Sequence, residues 1–102
     1  MIRGTKLKVQ DWITQQLNLE SAGLLWTDTE KADLSDELAR KYRPGKGTFQ
    51  VRVDQEMGDK GLRPVYVVVR GELEIHTDDN EDRAKVVARV MQHLDSTVAD
   101  QS

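Results

Sequence analysis

Pro64-Val65-Tyr66-Val67-Val68-Val69-Arg70-Gly71-Glu72-Leu73-Glu74-Ile75-His76 is the stretch around which the rest of the chain must fold. Val65, Val67, Val69, Leu73 and Ile75 share one parity; Tyr66, Val68, Arg70, Glu72, Glu74 and His76 share the other. A strand sends successive side chains to opposite faces, so the first set is predicted to be dry and the second mostly wet. Gly71 falls in the dry set without breaking the parity, which predicts one long bent strand rather than two. Ordering that backbone costs more than burial of five apolar side chains returns, so the strand needs sheet neighbours and a covering helix.

The flanking segments supply both. After Thr77, Asp78-Asp79-Asn80 reads as the cap of a final helix, with Ala84, Val87, Ala88, Met91 and Leu94 in one stripe, widened by Val86 and Val90. Glu81 and Asp82 in its first turn, with Lys85, Arg89 and His93 later, suit the helix dipole. The tail from Asp95 to Ser102 is expected to fray. On the other side, Phe49, Val51 and Val53 alternate with Gln50, Arg52 and Asp54. This predicts a second strand with one dry face, joined through the flexible Gly58-Asp59-Lys60-Gly61 into an antiparallel hairpin with the long strand.

Towards the N-terminus, Val9, Trp12, Ile13 and Leu17 recur at helical spacing within Lys6–Leu19, with Thr5 as N-cap and Gly23 beyond the end. Gly23-Leu24-Leu25-Trp26-Thr27 reads as a short strand. From Asp28 to Arg43, Leu34, Leu38 and Tyr42 sit at four-residue spacing in a highly charged run. That run is either a short second helix, capped by Asp33 or Ser35 and stopped before Pro44, or a mobile excursion covering residues 28–47. The fold class is therefore α+β. It is one domain over residues 1–102, a small antiparallel or mixed sheet with a long C-terminal strand, packed by N- and C-terminal helices on one face.

Composition narrows the functional classes. The chain has 102 residues, 37 % hydrophobic and 32 % charged, with a net charge of -3. A slight acidic excess argues against non-specific nucleic-acid binding. The absence of cysteine excludes disulfides, thiolate metal sites and cysteine nucleophiles. No run approaches the roughly twenty apolar residues of a membrane span, and no apolar stretch of signal-peptide length follows Met1–Lys6. The expected location is the cytoplasm.

Several constellations invite a chemical reading. Glu72, Glu74 and His76, spaced two apart beside Asp78 and Asp79, could converge on a hard cation. The same residues are also an ordinary polar strand face running into a helix cap, which is the preferred reading. Asp78–Asp82 does not make a calcium loop, because Arg83 replaces the turn glycine and Arg89 the twelfth-position acid. Gly45-Lys46-Gly47-Thr48 lacks the earlier glycine of a phosphate loop, with Arg40 there instead, and a strand rather than a helix follows. Arg40, Lys41, Tyr42, Arg43 and Lys46 form the basic cluster. It could hold phosphates with Tyr42 stacked on a base, but complementing the acids of Asp28–Glu37 is the simpler reading. No serine has nucleophile-elbow spacing. His93 suits a surface place late on a helix, and Trp12 and Trp26 suit packing. No catalytic, cofactor-binding or metal-binding residue is assigned.

Leu62 to Leu94 resembles the C-terminal half of small bacteriophage tail-completion and tail-terminator proteins. The resemblance rests on a proline-led valine-rich strand, a second stretch of the Glu72-Leu73-Glu74-Ile75-His76 kind and an acid-capped helix over Asp79–Leu94. The helix over Lys6–Leu19 stands in the corresponding place, while Asp28 to Lys46 has no counterpart. The resemblance implies a non-enzymatic subunit of a ring on a tail tube, contacting its neighbours through strand edges and charged loops. It transfers no functional residue.

The expectation is thus a self-associating virion-assembly protein, with homo-oligomers and other virion or host proteins as partners, and neither nucleic acid, membrane nor cofactor. The candidate interaction surface comprises Arg40, Lys41, Tyr42, Arg43, Lys46, Arg70, Glu72, Glu74 and His76. The reading that motivates it is the over-long strand, whose unpaired edge beyond Gly71 would be open to another chain. The competing expectation is a small binding adaptor or inhibitor that presents Arg40–Lys46 and Asp78–Asp82 to a protein or nucleic acid.

Overall fold

A computed structural model describes residues 6–21 and 25–101. In chain order these form α1 (Lys6–Ser21), α2 (Asp28–Lys41), β1 (Gln50–Gly58), β2 (Gly61–Arg70), β3 (Leu73–Asp78) and α3 (Glu81–Gln101). The three strands make one antiparallel sheet in the order β1-β2-β3. The fold is α+β, as the alternating patterns predict.

The stretch expected to be one long strand is two. β2 ends at Arg70 and β3 begins at Leu73, with Arg70 opposite Leu73 and only Gly71 and Glu72 between them. Gly71 adopts a positive φ of 61°, a left-handed conformation natural to glycine and costly to other residues, and it reverses the chain. Parity survives a two-residue turn as well as it survives a bend, so alternation alone could not distinguish them.

The facing of the strand differs too. Val65, Val67 and Val69 are buried as expected, but Val68 is also fully buried and belongs to the helix-side core with Phe49 and Ile75. Alternation therefore points Tyr66, Val68 and Arg70 at the helices, and the odd-numbered valines at the opposite face. There Gln50, Arg52 and Asp54 of β1 stand opposite Val69, Val67 and Val65. Being central, β2 is dry on both faces over residues 67–70, which is why it reads there as a continuous valine run. In β3 the register shifts between Val68, opposite His76, and Val69, opposite Glu74. Ile75 is the extra residue of this bulge, and it places Glu74 and His76 on different faces.

The helices sit on one face. Ile13 and Leu17 of α1, Leu34 and Leu38 of α2, and Ala84, Val87, Val90, Met91 and Leu94 of α3 meet Val68 and Ile75 in one core. The stripes of α1 and α3 are those read from spacing. α2 is an ordered helix rather than a loose excursion, and its cap is Thr27 rather than Asp33 or Ser35. The Thr27 hydroxyl accepts from the Glu30 amide at 3.1 Å while the Glu30 carboxylate accepts from the Thr27 amide at 2.8 Å. That backbone hydrogen bond from Thr27 holds the Glu30 carboxyl below its ordinary range. Leu25 and Trp26 lie in a bend rather than a strand, and the expected cap Thr5 and terminator Gly23 fall outside the described residues. α3 does not fray at Asp95; it continues to Gln101.

Side chains tie the layers together. The Thr14 hydroxyl bonds the buried Ser35 hydroxyl at 2.7 Å, joining α1 to α2. The Arg83 guanidinium donates to the Leu25 carbonyl at 3.0 Å, and the Phe49 amide donates to Gln92 at 2.7 Å. Trp26 is buried beside Arg83, and Trp12 meets the His93 ring edge-on at 5.3 Å, so both tryptophans pack rather than form a cage.

Candidate interaction surface

The residues expected to form the surface separate into three places. Arg40 and Lys41, in the last turn of α2, pair with Asp36 at 3.1 Å and Glu37 at 2.8 Å. Arg43 folds back onto the carbonyls of Arg40 and Tyr42, at 3.0 and 2.8 Å, satisfying the open end of that helix. Lys46 is exposed in the loop before β1. The basic cluster therefore largely complements acids of its own helix.

Arg70 is buried and Tyr42 half-buried, so neither stands free on the surface. The Tyr42 hydroxyl donates to one Asp95 oxygen at 2.6 Å, and the buried Arg70 guanidinium pairs with the other. Arg70 also donates to the Arg43 carbonyl and stands 4.7 Å over the Phe49 ring. A Cβ at Gly45 would lie 2.8 Å from the Arg70 guanidinium, so the loop passes this close only because residue 45 is glycine. Burial pushes the Tyr42 phenol well above its ordinary range, and the hydrogen bond and negative charge of Asp95 add to the effect. The cluster fastens β2, the loop after α2 and α3 to one another. Spacing alone places Asp95 in a fraying tail, because its partner Arg70 lies 25 positions away.

Glu72 is exposed in the β2–β3 turn, and Glu74 lies on the face away from the helices, pairing with Arg52 at 3.4 Å. His76, half-buried on the helix side, contacts Asp78 through Nε2 at 3.0 Å. Asp78 also accepts from the Asn80 amide, and Asn80 caps α3 by accepting from the Arg83 amide at 3.1 Å. The bulge at Ile75 thus prevents Glu72, Glu74 and His76 from converging. Among the described residues no group of three His, Cys, Asp or Glu side chains could hold a metal ion.

What the structure brings together instead is the β1 edge. β1 runs for nine residues along one side of the sheet with no strand beyond it among the described residues. Phe49 and Val51 begin a row on the helix side that packs against the core. Further along the same row, Val53 and Met57 are 60 and 73 % exposed, and Leu62, opposite Met57, is 65 % exposed. The end of the hairpin therefore reaches past the helical cover. On the other face Arg52 bonds Asp54 at 3.0 Å and reaches across the valines of β2 to Glu74. The hydrogen bond that Arg52 donates to Asp54, then the charge of that carboxylate, hold Arg52 more firmly protonated than a free guanidinium. Beyond them Arg63 pairs with Glu56 at 3.1 Å. A shallow groove lined by Glu56, Arg63, Val65, Thr77, Asp78 and Asp79 ends this face.

Alternation alone predicts Val53 to be a core residue and so does not reveal this edge. The sequence signal that points to it is Gln55, a polar residue that interrupts the Phe49-Val51-Val53 row before Met57 and marks where the dry face ends. Comparison with protein-family models, curated proteins and solved structures finds no match for this chain. Among the described residues, no helix is long and apolar enough to cross a membrane.

Proposed function

We propose that this chain is a non-enzymatic, self-associating assembly protein that works as a subunit of a virion, in the manner of a tail-completion or terminator protein, in the host cytoplasm before incorporation. The observation that carries the proposal is the β1–β2 hairpin, with an open strand edge and with Val53, Met57 and Leu62 exposed beyond the helices. An open edge offers backbone hydrogen bonds to another chain, and adjoining apolar side chains add burial when it arrives. This support replaces the unpaired edge beyond Gly71, which the β2–β3 turn removes.

The adaptor reading draws less support, because Arg40 and Lys41 are paired within α2 and Tyr42 points at Asp95. Light scattering at micromolar concentration, alone and with tail-tube protein, tests the proposal. Oligomers are expected, and a strict monomer under both conditions overturns it. Reversing charge at Arg40, Lys41 and Arg43 should leave the oligomers intact, whereas an adaptor would lose its partner.

A further inference from the structure

We propose that the partner of the β1 edge is β1 of a second copy, paired antiparallel about a two-fold axis at Val53, so that two three-stranded sheets become one of six strands. The inference rests on the self-association reading above and specifies its contact. Of the two edges, β1 is the available one. It is nine residues long against six for β3, and α2 leans on β3 while only α3 reaches β1.

The order of charges selects the register. An antiparallel pair centred on Val53 sets Val53 against Val53, and Arg52 of each copy against Asp54 of the other. Gln50 then faces Glu56. Both Arg–Asp pairs lie on the face away from the helices, where Arg52 and Asp54 already point. Sliding by one same-face step in one direction sets Arg52 against Arg52; the other direction sets Arg52 against Glu56 but Asp54 against Asp54, so of the three only the Val53-centred register has no like-charged pair. Opposite charges directly across strands stabilise pairing and like charges oppose it, so the Val53-centred register is preferred over its neighbours. On the helix side the same register joins the exposed Val53 side chains at the axis and lets Met57 of each copy approach Phe49 of the other.

Charges on an edge can also serve to repel strand pairing. Arg52 and Asp54 are of opposite sign and equidistant from Val53, an arrangement that attracts its own copy rather than excluding it. An isologous contact of this kind closes on itself as a dimer, and a larger assembly would use a further surface.

Sedimentation velocity on the full chain tests the register. Arg52→Asp sets two like-charged pairs across the axis, and so does Asp54→Arg. Each is expected to weaken the wild-type association about tenfold. The Arg52 and Asp54 side chains are 47 and 41 % exposed, so folding should survive, as circular dichroism will verify. An equimolar mixture of the two variants restores attraction at both pairs and is expected to associate as well as wild type. In addition, the chain has no cysteine, so Val53→Cys should form an intermolecular disulfide on oxidation. Association of wild type that neither substitution weakens, with no recovery on mixing and no disulfide, overturns this contact while leaving self-association standing. A wild type monomeric at every concentration overturns the self-association reading, and this inference with it.

Discussion

Replacing Asp95 with alanine tests how the sheet, the loop after α2 and the last helix are fastened together. The Arg70 and Asp95 side chains are only 6 and 10 % exposed, so theirs is an interior ion pair. Asp95→Ala leaves the Arg70 guanidinium with the Arg43 carbonyl and the Phe49 ring, neither of which balances its charge, and strips the Tyr42 hydroxyl of its acceptor. Breaking a buried pair from one side costs about 3–5 kcal/mol, because the remaining charge stays desolvated. For a domain of this length that corresponds to a melting temperature lower by at least about 12 °C. Urea unfolding followed by the fluorescence of Trp12 and Trp26 measures the change. Arg70→Met together with Asp95→Ala should lose less than the sum of the two single changes, since the stranded charge goes with it. A loss below about 1 kcal/mol for Asp95→Ala, additive with Arg70→Met, would mean the pair behaves like an exposed one and would refute the reasoning.

Two further predictions concern the same framework. Tyr42 holds its proton more tightly folded than unfolded, so its contribution to stability is complete below about pH 10 and is lost as pH rises through the folded value. Alkaline denaturation should therefore steepen above about pH 10 in wild type and flatten in Tyr42→Phe, and identical alkaline profiles would contradict the burial of the phenol. Gly71→Ala should cost about 1–2 kcal/mol in chemical denaturation, with Gly71→Asn costing less. The expense is purely one of backbone conformation, because a Cβ there meets nothing within 4 Å.

Which features are legible in the sequence depends on the range of the interaction that makes them. The stripes of α1 and α3, and the hairpin through Gly58–Gly61, are local patterns, and spacing reveals them. The β2–β3 turn escaped because Gly71 and Glu72 preserve the alternation of the flanking residues, so a reversal and a continuation look alike. The contiguous Val67-Val68-Val69 was the available clue, since a strand dry on both faces belongs in the centre of a sheet with neighbours on either side. The bulge at Ile75 inverted the sides of Glu74 and His76, which no count of two could foresee. Among the residues expected on the surface, Arg70 is buried and Tyr42 half-buried against Asp95, a partner too remote in sequence for spacing to reveal. The exposure of Val53 depends on where the helices stop, a tertiary fact to which the polar Gln55 in the same row is only a partial local clue.

Amide hydrogen exchange across a dilution series probes the β1 edge most directly. If β1 joins copies, exchange at the open-edge amides of Gln50–Gly58 should slow as protein concentration rises, while the β3 edge is unchanged. Exchange in β1 that stays fast and independent of concentration, or slowing confined to Leu73–Asp78, would contradict the account.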